Sequence, residues 1–191
     1  MKDVASATIG TAPRTWVFAA PDERAEKKVR LMDPSAFWER LAPVQDKLYN
    51  YIHKSLSFSI EADDVFQETV LNAFRYFETF KADREFGPWV FAIAHNVLRD
   101  HFRRAARTLT TSEAERWGKE DPTRTRELVR EVYRYAEGLK PRHREVFFLF
   151  YDSGFSVAEI AGITGLSQGN VKLILFQARR ELKSALGVTH E

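Results

Sequence analysis

His95, Arg99, Arg103 and Arg107 stand four residues apart along one stretch of the chain. That spacing stacks side chains on one face of a helix, so they predict a single basic stripe with Asn96 beside it. Guanidinium groups in such a row suit phosphate oxygens, through charge and forked hydrogen bonds. A run of this kind is also the common make-up of a solvated face. The absence of paired acids expected along the stripe favours nucleic acid. Just upstream, Phe86, Trp89 and Phe91 are of a type that stacks on unpaired bases, although a tryptophan here equally suits a core.

A second basic segment lies near the C-terminus, where Lys172, Arg179, Arg180 and Lys183 face the single acid Glu181 between Gln168 and Gly187. Projected as a helix, Val171, Leu175, Ala178, Leu182 and Ala185 share one side and are expected in a core. Lys172, Leu173, Phe176, Gln177 and Arg180 share the other. Lys172 and Arg180 suit phosphates, and Gln177 can offer an adenine a paired donor and acceptor. Leu173 and Phe176 are unusual on an outer face; thymine methyls, a protein partner or a neighbouring helix would each accept them.

A third segment has the opposite sign. Glu61 to Phe80 carries five acids (Glu61, Asp63, Asp64, Glu68 and Glu78) against Arg75 alone. Acids in a first helical turn are favoured by the helix dipole, which accounts for some of them. Gln67, Glu68 and Asn72 lie beyond that turn, so the face they share with Asp63 and Asp64 fits a basic protein partner and would repel phosphate. Charge separated in this way along a chain whose formal net charge is only +2 points to different partners for different helices.

Enzymatic constellations are missing. The chain has no phosphate-binding glycine loop, no HExxH and no GxSxG, and its five histidines do not pair with carboxylates at metal-ligand spacing. No catalytic residue, metal, cofactor or small-molecule substrate is therefore expected. There is no cysteine, which excludes a disulfide framework and a thiol nucleophile and fits a reducing compartment. No apolar run approaches the roughly 20 residues that span a bilayer, and Trp16 to Ala20 is too short for a signal-peptide core. The expected location is the cytoplasm.

Helices must position these groups. From Phe155 to Leu182 two helix starts share one design. Ser156 caps the first, with Glu159 completing a capping box and Phe155 and Ile160 a hydrophobic staple. Ser167 caps the second, with Leu166 and Val171 as its staple, and Gly162 and Gly165 are expected to permit the reversal between them. A short helix, a glycine-bearing turn and a longer helix make a helix-turn-helix, whose second helix usually enters a major groove.

Upstream, Phe37, Leu41, Val44, Leu48 and Ile52 repeat at helical spacing, with Pro43 expected to kink or split the helix. A second helix is predicted from about Glu61 to Phe77 with Phe66, Val70, Ala73, Phe74 and Phe77 buried. Lys81 to Gly87 reads as a polar loop. A third helix is predicted from Pro88 to about Arg104, burying Val90, Ile93, Ala94, Val97 and His101 or Phe102. Two more follow, one striped by Leu128, Val132, Tyr135 and Leu139 and one starting at Pro141. No segment alternates at period two, so the expected class is all-α: two small helical domains joined by a flexible linker, the C-terminal one a helix-turn-helix. The boundaries read as a mobile extension over 1–32, a first domain over 33–107, a linker over 108–123, a second domain over 124–187 and a tail over 188–191. The apolar cluster Trp16-Val17-Phe18 in the extension is a candidate docking segment.

Three stretches carry a family likeness: "ADDVFQETVLNAFRYFETF", "FGPWVFAIAHNVLRDHFRR" and "LKPRHREVFFLFYDSGFSVAEIAGITGLSQGNVK". In order and spacing they resemble the two domains of the extracytoplasmic-function sigma factors, small members of the bacterial sigma-70 family. The resemblance implies an alternative sigma factor that binds core RNA polymerase and directs it to minus-35 and minus-ten promoter elements, aiding melting by holding a flipped base. It puts Asp64, Gln67, Glu68 and Asn72 on the clamp helices of the β′ subunit. Lys81, Arg84, Trp89, His95, Asn96, Arg99 and Arg103 fall to the minus-ten region, and the loop Lys81 to Gly87 to base capture. Ser167, Gln168, Asn170, Lys172, Leu173, Phe176, Gln177 and Arg180 fall to the minus-35 element, in a domain that also leans on the β flap. An anti-sigma factor, membrane-anchored in many relatives, is implied as inhibitor. After "GNVK" the family commonly has a small polar residue and an arginine where this chain has Leu173 and Ile174, and Gln177 stands where a basic residue is frequent. A stand-alone helix-turn-helix regulator and a helical interaction module without DNA binding are the other readings of the same pattern.

Overall fold

A computed structural model describes residues 34–57, 59–108 and 124–185. The expected N-terminal extension with Trp16 to Phe18, nearly all of the expected linker and the tail lie outside the described residues. Among the described residues the chain forms eight α-helices and no strand: α1 (Pro34–Leu41), α2 (Gln45–Ser55), α3 (Ala62–Tyr76), α4 (Phe86–Thr108), α5 (Arg124–Gly138), α6 (Pro141–Tyr151), α7 (Val157–Thr164) and α8 (Gln168–Ala185). The all-α class stands.

Pro43 does split the first helical pattern. It has no N–H to continue the ladder, so α1 ends at Leu41 and α2 begins at Gln45. Phe37 and Leu41, then Leu48, Tyr51, Ile52 and Ser55, keep one buried face across the break. The buried stripe of α3 is rotated from expectation. Ala62, Val65, Thr69 and Ala73 lie deepest, and Phe66, Val70, Phe74 and Phe77 are only partly buried along its flank. Small side chains let α3 come close to α4, and the larger aromatics pack to the side, Phe66 edge-on to Tyr49 of α2 and Phe74 and Phe77 edge-on to Phe37 of α1. Thr69 fits there because its hydroxyl donates to the Val65 carbonyl at 2.7 Å.

The helix α4 starts at Phe86, two residues earlier than predicted, with Pro88 in its first turn where a missing N–H costs nothing. Every residue from Trp89 to His95 is buried, which at 3.6 residues per turn means the helix is covered all the way round. On one side lie α2 and α3; on the other lies α7. His101 and Phe102 are only half-buried.

The second unit is built by α5 to α8. Pro141 opens α6. Between α6 and α7, Gly154 takes φ +78°, a left-handed turn that favours glycine. Both bonds of the predicted capping box form: Glu159 N–H donates to Ser156 Oγ, and Ser156 N–H donates to the Glu159 carboxylate at 2.7 Å. Of the two glycines expected to turn the chain, Gly165 does so at φ 69°, while Gly162 lies buried inside α7. Ser167 Oγ accepts from the Asn170 N–H at 3.2 Å and caps α8 as predicted. The buried apolar side chains of both units join in one cluster that runs from Phe37 to Ala178, with α2 against α6 and α4 against α7.

Candidate nucleic-acid interface

The acidic surface of α3 forms as a continuous outer face. Asp64, Gln67 and Glu68 are exposed and Asn72 half-buried, spaced so that all lie on one side of the helix. Leu71, 57% exposed, sits among them. An apolar side chain ringed by carboxylates and amides is the composition of a protein-binding patch. Asp63 belongs elsewhere: its carboxylate accepts from the Tyr49 hydroxyl at 3.1 Å and meets His53 Nε2 at 3.1 Å, joining α3 to α2.

The basic stripe of α4 survives only in its second half. Arg99 and Arg103 are exposed, and Asn96 is half-buried one turn earlier. The side chain of Arg107 lies outside the described residues. Contrary to expectation the stripe has an acid beside it: Asp100 pairs with Arg103 at 3.2 Å and approaches Arg99 at 4.0 Å. Both guanidiniums keep about 60% of their surface, so such a pair contributes little and leaves donors for another anion. On the adjoining side, Glu61 reaches His101 at 3.1 Å and ties the start of α3 to α4.

Two residues assigned to the minus-ten region are corrected. Trp89 is 1% exposed, packed among Phe77, Phe80 and Phe86, and is part of the core. His95 is buried, and its Nδ1 meets the Glu145 carboxylate of α6. Neither lies on the surface in this arrangement. Phe91 is buried too, edge-on to Phe155 with ring centroids 4.8 Å apart. Lys81 and Arg84, in the loop before α4, are exposed.

In α8, Ser167, Gln168, Asn170, Lys172 and Arg180 are exposed and Gln177 is half-buried. Leu173 and Phe176, 52% and 60% exposed, confirm an apolar component on the outer face. Ile174 is buried beside Val171, Leu175 and Ala178, so of the two unusual residues after "GNVK" only Leu173 changes the outer surface. The helix is braced from α5, where the Tyr135 hydroxyl donates to Glu181 at 3.0 Å. Burial and then that carboxylate push the phenol up to about 12.

What the residue pattern missed is the polar contact between the units. Glu145, 3% exposed, receives the Tyr51 hydroxyl at 3.3 Å as well as His95. Burial, then the Glu145 carboxylate, holds the Tyr51 phenol well above its usual range. Arg144 donates to the Ser55 carbonyl at 3.2 Å and Ser57 Oγ at 2.6 Å at the end of α2, and to the Leu139 carbonyl at 3.2 Å after α5. It thereby closes carbonyls at two helix ends in different units. Lys54 of α2 pairs with Asp152. The available signal was the run from Pro88 to Ala94, which leaves no polar face for solvent.

Residues 42–108 match the Sigma-70 region 2 family, and residues 129–182 match Sigma-70, region 4. The chain is 32% identical over 130 residues to the ECF RNA polymerase sigma factor EcfG of Rhodopseudomonas palustris, covering 66% of this chain and 72% of that one. It is 30% identical over 166 residues to the ECF RNA polymerase sigma factor BldN of Streptomyces coelicolor, a match covering 81% of this chain and 61% of BldN's length. Among solved structures, CnrH in complex with the cytosolic domain of CnrY superposes with a TM-score of 0.60 at 29% identity, covering 86% of this chain and 96% of that one.

Proposed function

Since the chain belongs to the extracytoplasmic-function sigma factors of the sigma-70 family, we propose that it binds core RNA polymerase through α3 and directs it to promoters through α4 and α8. The observation that carries this reading is the juxtaposition in the first unit. An acidic face with Leu71 at its centre lies on α3, and exposed Arg99 and Arg103 lie on the neighbouring α4. One surface suits a basic protein and the other suits phosphate, so the unit can hold polymerase and DNA at once.

Asp64, Gln67, Glu68 and Asn72 are the proposed polymerase contacts. Lys81, Arg84, Asn96, Arg99 and Arg103 are the proposed minus-ten contacts. Ser167, Gln168, Asn170, Lys172, Leu173, Phe176, Gln177 and Arg180 are those for the minus-35 element, where Leu173 and Phe176 lend themselves to thymine methyls. The chain contributes binding free energy and no bond-breaking chemistry. Unstacking a base costs a few kcal/mol, offset by contacts in the loop before α4 and by the arginines beyond it. Among the described residues no helix is long and apolar enough to cross a membrane. We place the chain in the cytoplasm with polymerase, under an anti-sigma inhibitor. The complex of CnrH with the CnrY cytosolic domain supports a protein partner of that kind.

Transcription by purified core polymerase on a genomic library, with and without the chain, tests the proposal. New starts that share upstream sequence elements are expected. No gain of specific starts would overturn it. Charge reversal at Asp64 and Glu68 separates it from a stand-alone operator binder, whose DNA affinity would hardly change.

A further inference from the structure

The outer face of α3 has the make-up of a covered surface. Leu71 stands 57% exposed on it, and Asp64 and Glu68 beside it have no ion-pair partner among the described residues. The acids at the start of the helix differ: Glu61 meets His101, and Asp63 meets His53 and Tyr49. The apolar surface continues onto α1. Trp38, 50% exposed, meets Phe37 edge-on at 5.1 Å, and Phe37 in turn meets Phe74 of α3 at 5.2 Å. Exposed apolar side chains beside carboxylates of this kind fit an occupant that is both apolar and basic.

The sequence holds such a segment, and it leads into this face. Between Val4 and Pro21 the only charged residue is Arg14, two residues before Trp16-Val17-Phe18. Arg24, Lys27, Lys28 and Arg30 follow, against Asp22, Glu23 and Glu26. Residues 1–33 lie outside the described residues, and α1 opens at Pro34, one turn before Phe37. The chain therefore joins the body next to the last turns of α3. From Pro34 to Leu71 is roughly 15 Å, a turn of each helix and the ring contact between them. The 16 steps from Phe18 to Pro34 span about 55 Å fully extended and about 24 Å as a helix, so the cluster reaches Leu71 in either form. A tether of this length gives an effective concentration on the order of millimolar, which holds a contact too weak to form between separate chains.

We propose that Trp16-Val17-Phe18 docks in cis on the outer face of α3, covering Leu71 and the exposed side of Trp38, with Arg14 against Asp64 and Glu68. Burial of the apolar cluster and of Leu71 drives the contact, and the charges orient it. Asp64, Gln67, Glu68 and Asn72 are also the proposed polymerase contacts, so the docked segment and polymerase exclude each other. Apparent affinity for polymerase is then reduced to the undocked fraction of its intrinsic value. That consequence rests on the function proposed above; the docking itself does not.

The chain has no cysteine, so Thr15→Cys with Arg75→Cys places two spin labels without background, one beside the cluster and one a turn beyond Leu71 on α3. In the full-length protein the labels should give one short, narrow distance distribution that does not change on dilution with unlabelled chain. Leu71→Ser, and separately Trp16→Ser with Phe18→Ser, should each lengthen and broaden it while circular dichroism stays the same. Trp16→Ser with Phe18→Ser alters no proposed polymerase contact, and that variant should bind core polymerase about fivefold more tightly than the parent. A parent distribution that is already broad, or variants that stay short, would overturn the docking. A short distance between two singly labelled chains would assign the face to a second copy and defeat it equally. Docking with unchanged polymerase affinity would overturn the competition. Docking as described, with no polymerase binding by any variant, would instead overturn the function proposed above.

Discussion

The helices α4 and α8 are the two basic helices of the chain, and they spend their surfaces differently. In α4 apolar and basic residues are separated along the axis: Trp89 to His95 is buried all round, and the exposed arginines begin at Arg99. In α8 they are separated only around the axis, and incompletely. Val171, Ile174, Leu175 and Ala178 face inward, while Leu173 and Phe176 share the outer side with Lys172 and Arg180. The first arrangement leaves an end whose exposed guanidiniums suit phosphate. The second makes a mixed surface that suits base methyls or an apolar protein partner. Similar basic content therefore gives two different surfaces, and the position of the apolar residues relative to the charges makes the difference.

The largest expected effect tests the acidic helix beside α4. Asp64→Lys with Glu68→Lys should weaken binding to core polymerase by at least about two orders of magnitude, because like charges then meet across the interface. Pull-down or fluorescence titration against the core enzyme reads this, with circular dichroism checking that the helices remain. Next, Arg99→Ala with Arg103→Ala should lower promoter affinity about tenfold or more and reduce the salt slope by about two. Lys172→Ala with Arg180→Ala should alter that slope no more. A greater change from the α8 pair would reverse the contrast between the helices.

A smaller effect sharpens the difference at α8. Leu173→Ser with Phe176→Ser should weaken an inhibitor complex more than promoter binding, by roughly fivefold against twofold if each ring or branch buries modest area. Equal or opposite losses in paired titrations would show that these side chains face DNA. The smallest concerns the scaffold. Ser156→Ala removes one capping bond from α7 and should cost about 1 kcal/mol, measured as a shift in urea midpoint with unchanged slope.

The parts of this fold that were legible in the sequence are those set by neighbours in the chain. The capping box at Ser156 and Glu159, the cap at Ser167 and the split at Pro43 each depend on a few adjacent residues, and each formed. The acidic face of α3 was legible for the same reason, since 3.6-residue periodicity places Asp64, Gln67, Glu68 and Asn72 together whatever packs behind them. His95 was misplaced because periodicity gives a face without saying what covers it. Spaced four residues from Arg99, it shares a side with the arginines, yet α6 brings Glu145 over it from fifty residues away. The rotation of α3 was hidden for a related reason: large aromatics look most buried in a pattern, while close helix packing selects the small residues instead. The apolar run ahead of His95 held the missing information, because a helix with no polar face must be covered twice.

The central claim is that the acidic face of α3 docks the chain on polymerase while the arginines of α4 hold DNA. Run-off transcription by core polymerase from a promoter mapped with the native chain tests it most directly, comparing that chain with Asp64→Lys/Glu68→Lys and Arg99→Ala/Arg103→Ala. The account predicts specific transcript from the native chain at all salt concentrations that permit elongation. It predicts none from the α3 variant at any salt, and transcript from the α4 variant that returns as salt is lowered. Full activity of the α3 variant, or a loss in the α4 variant that salt does not influence, would contradict it.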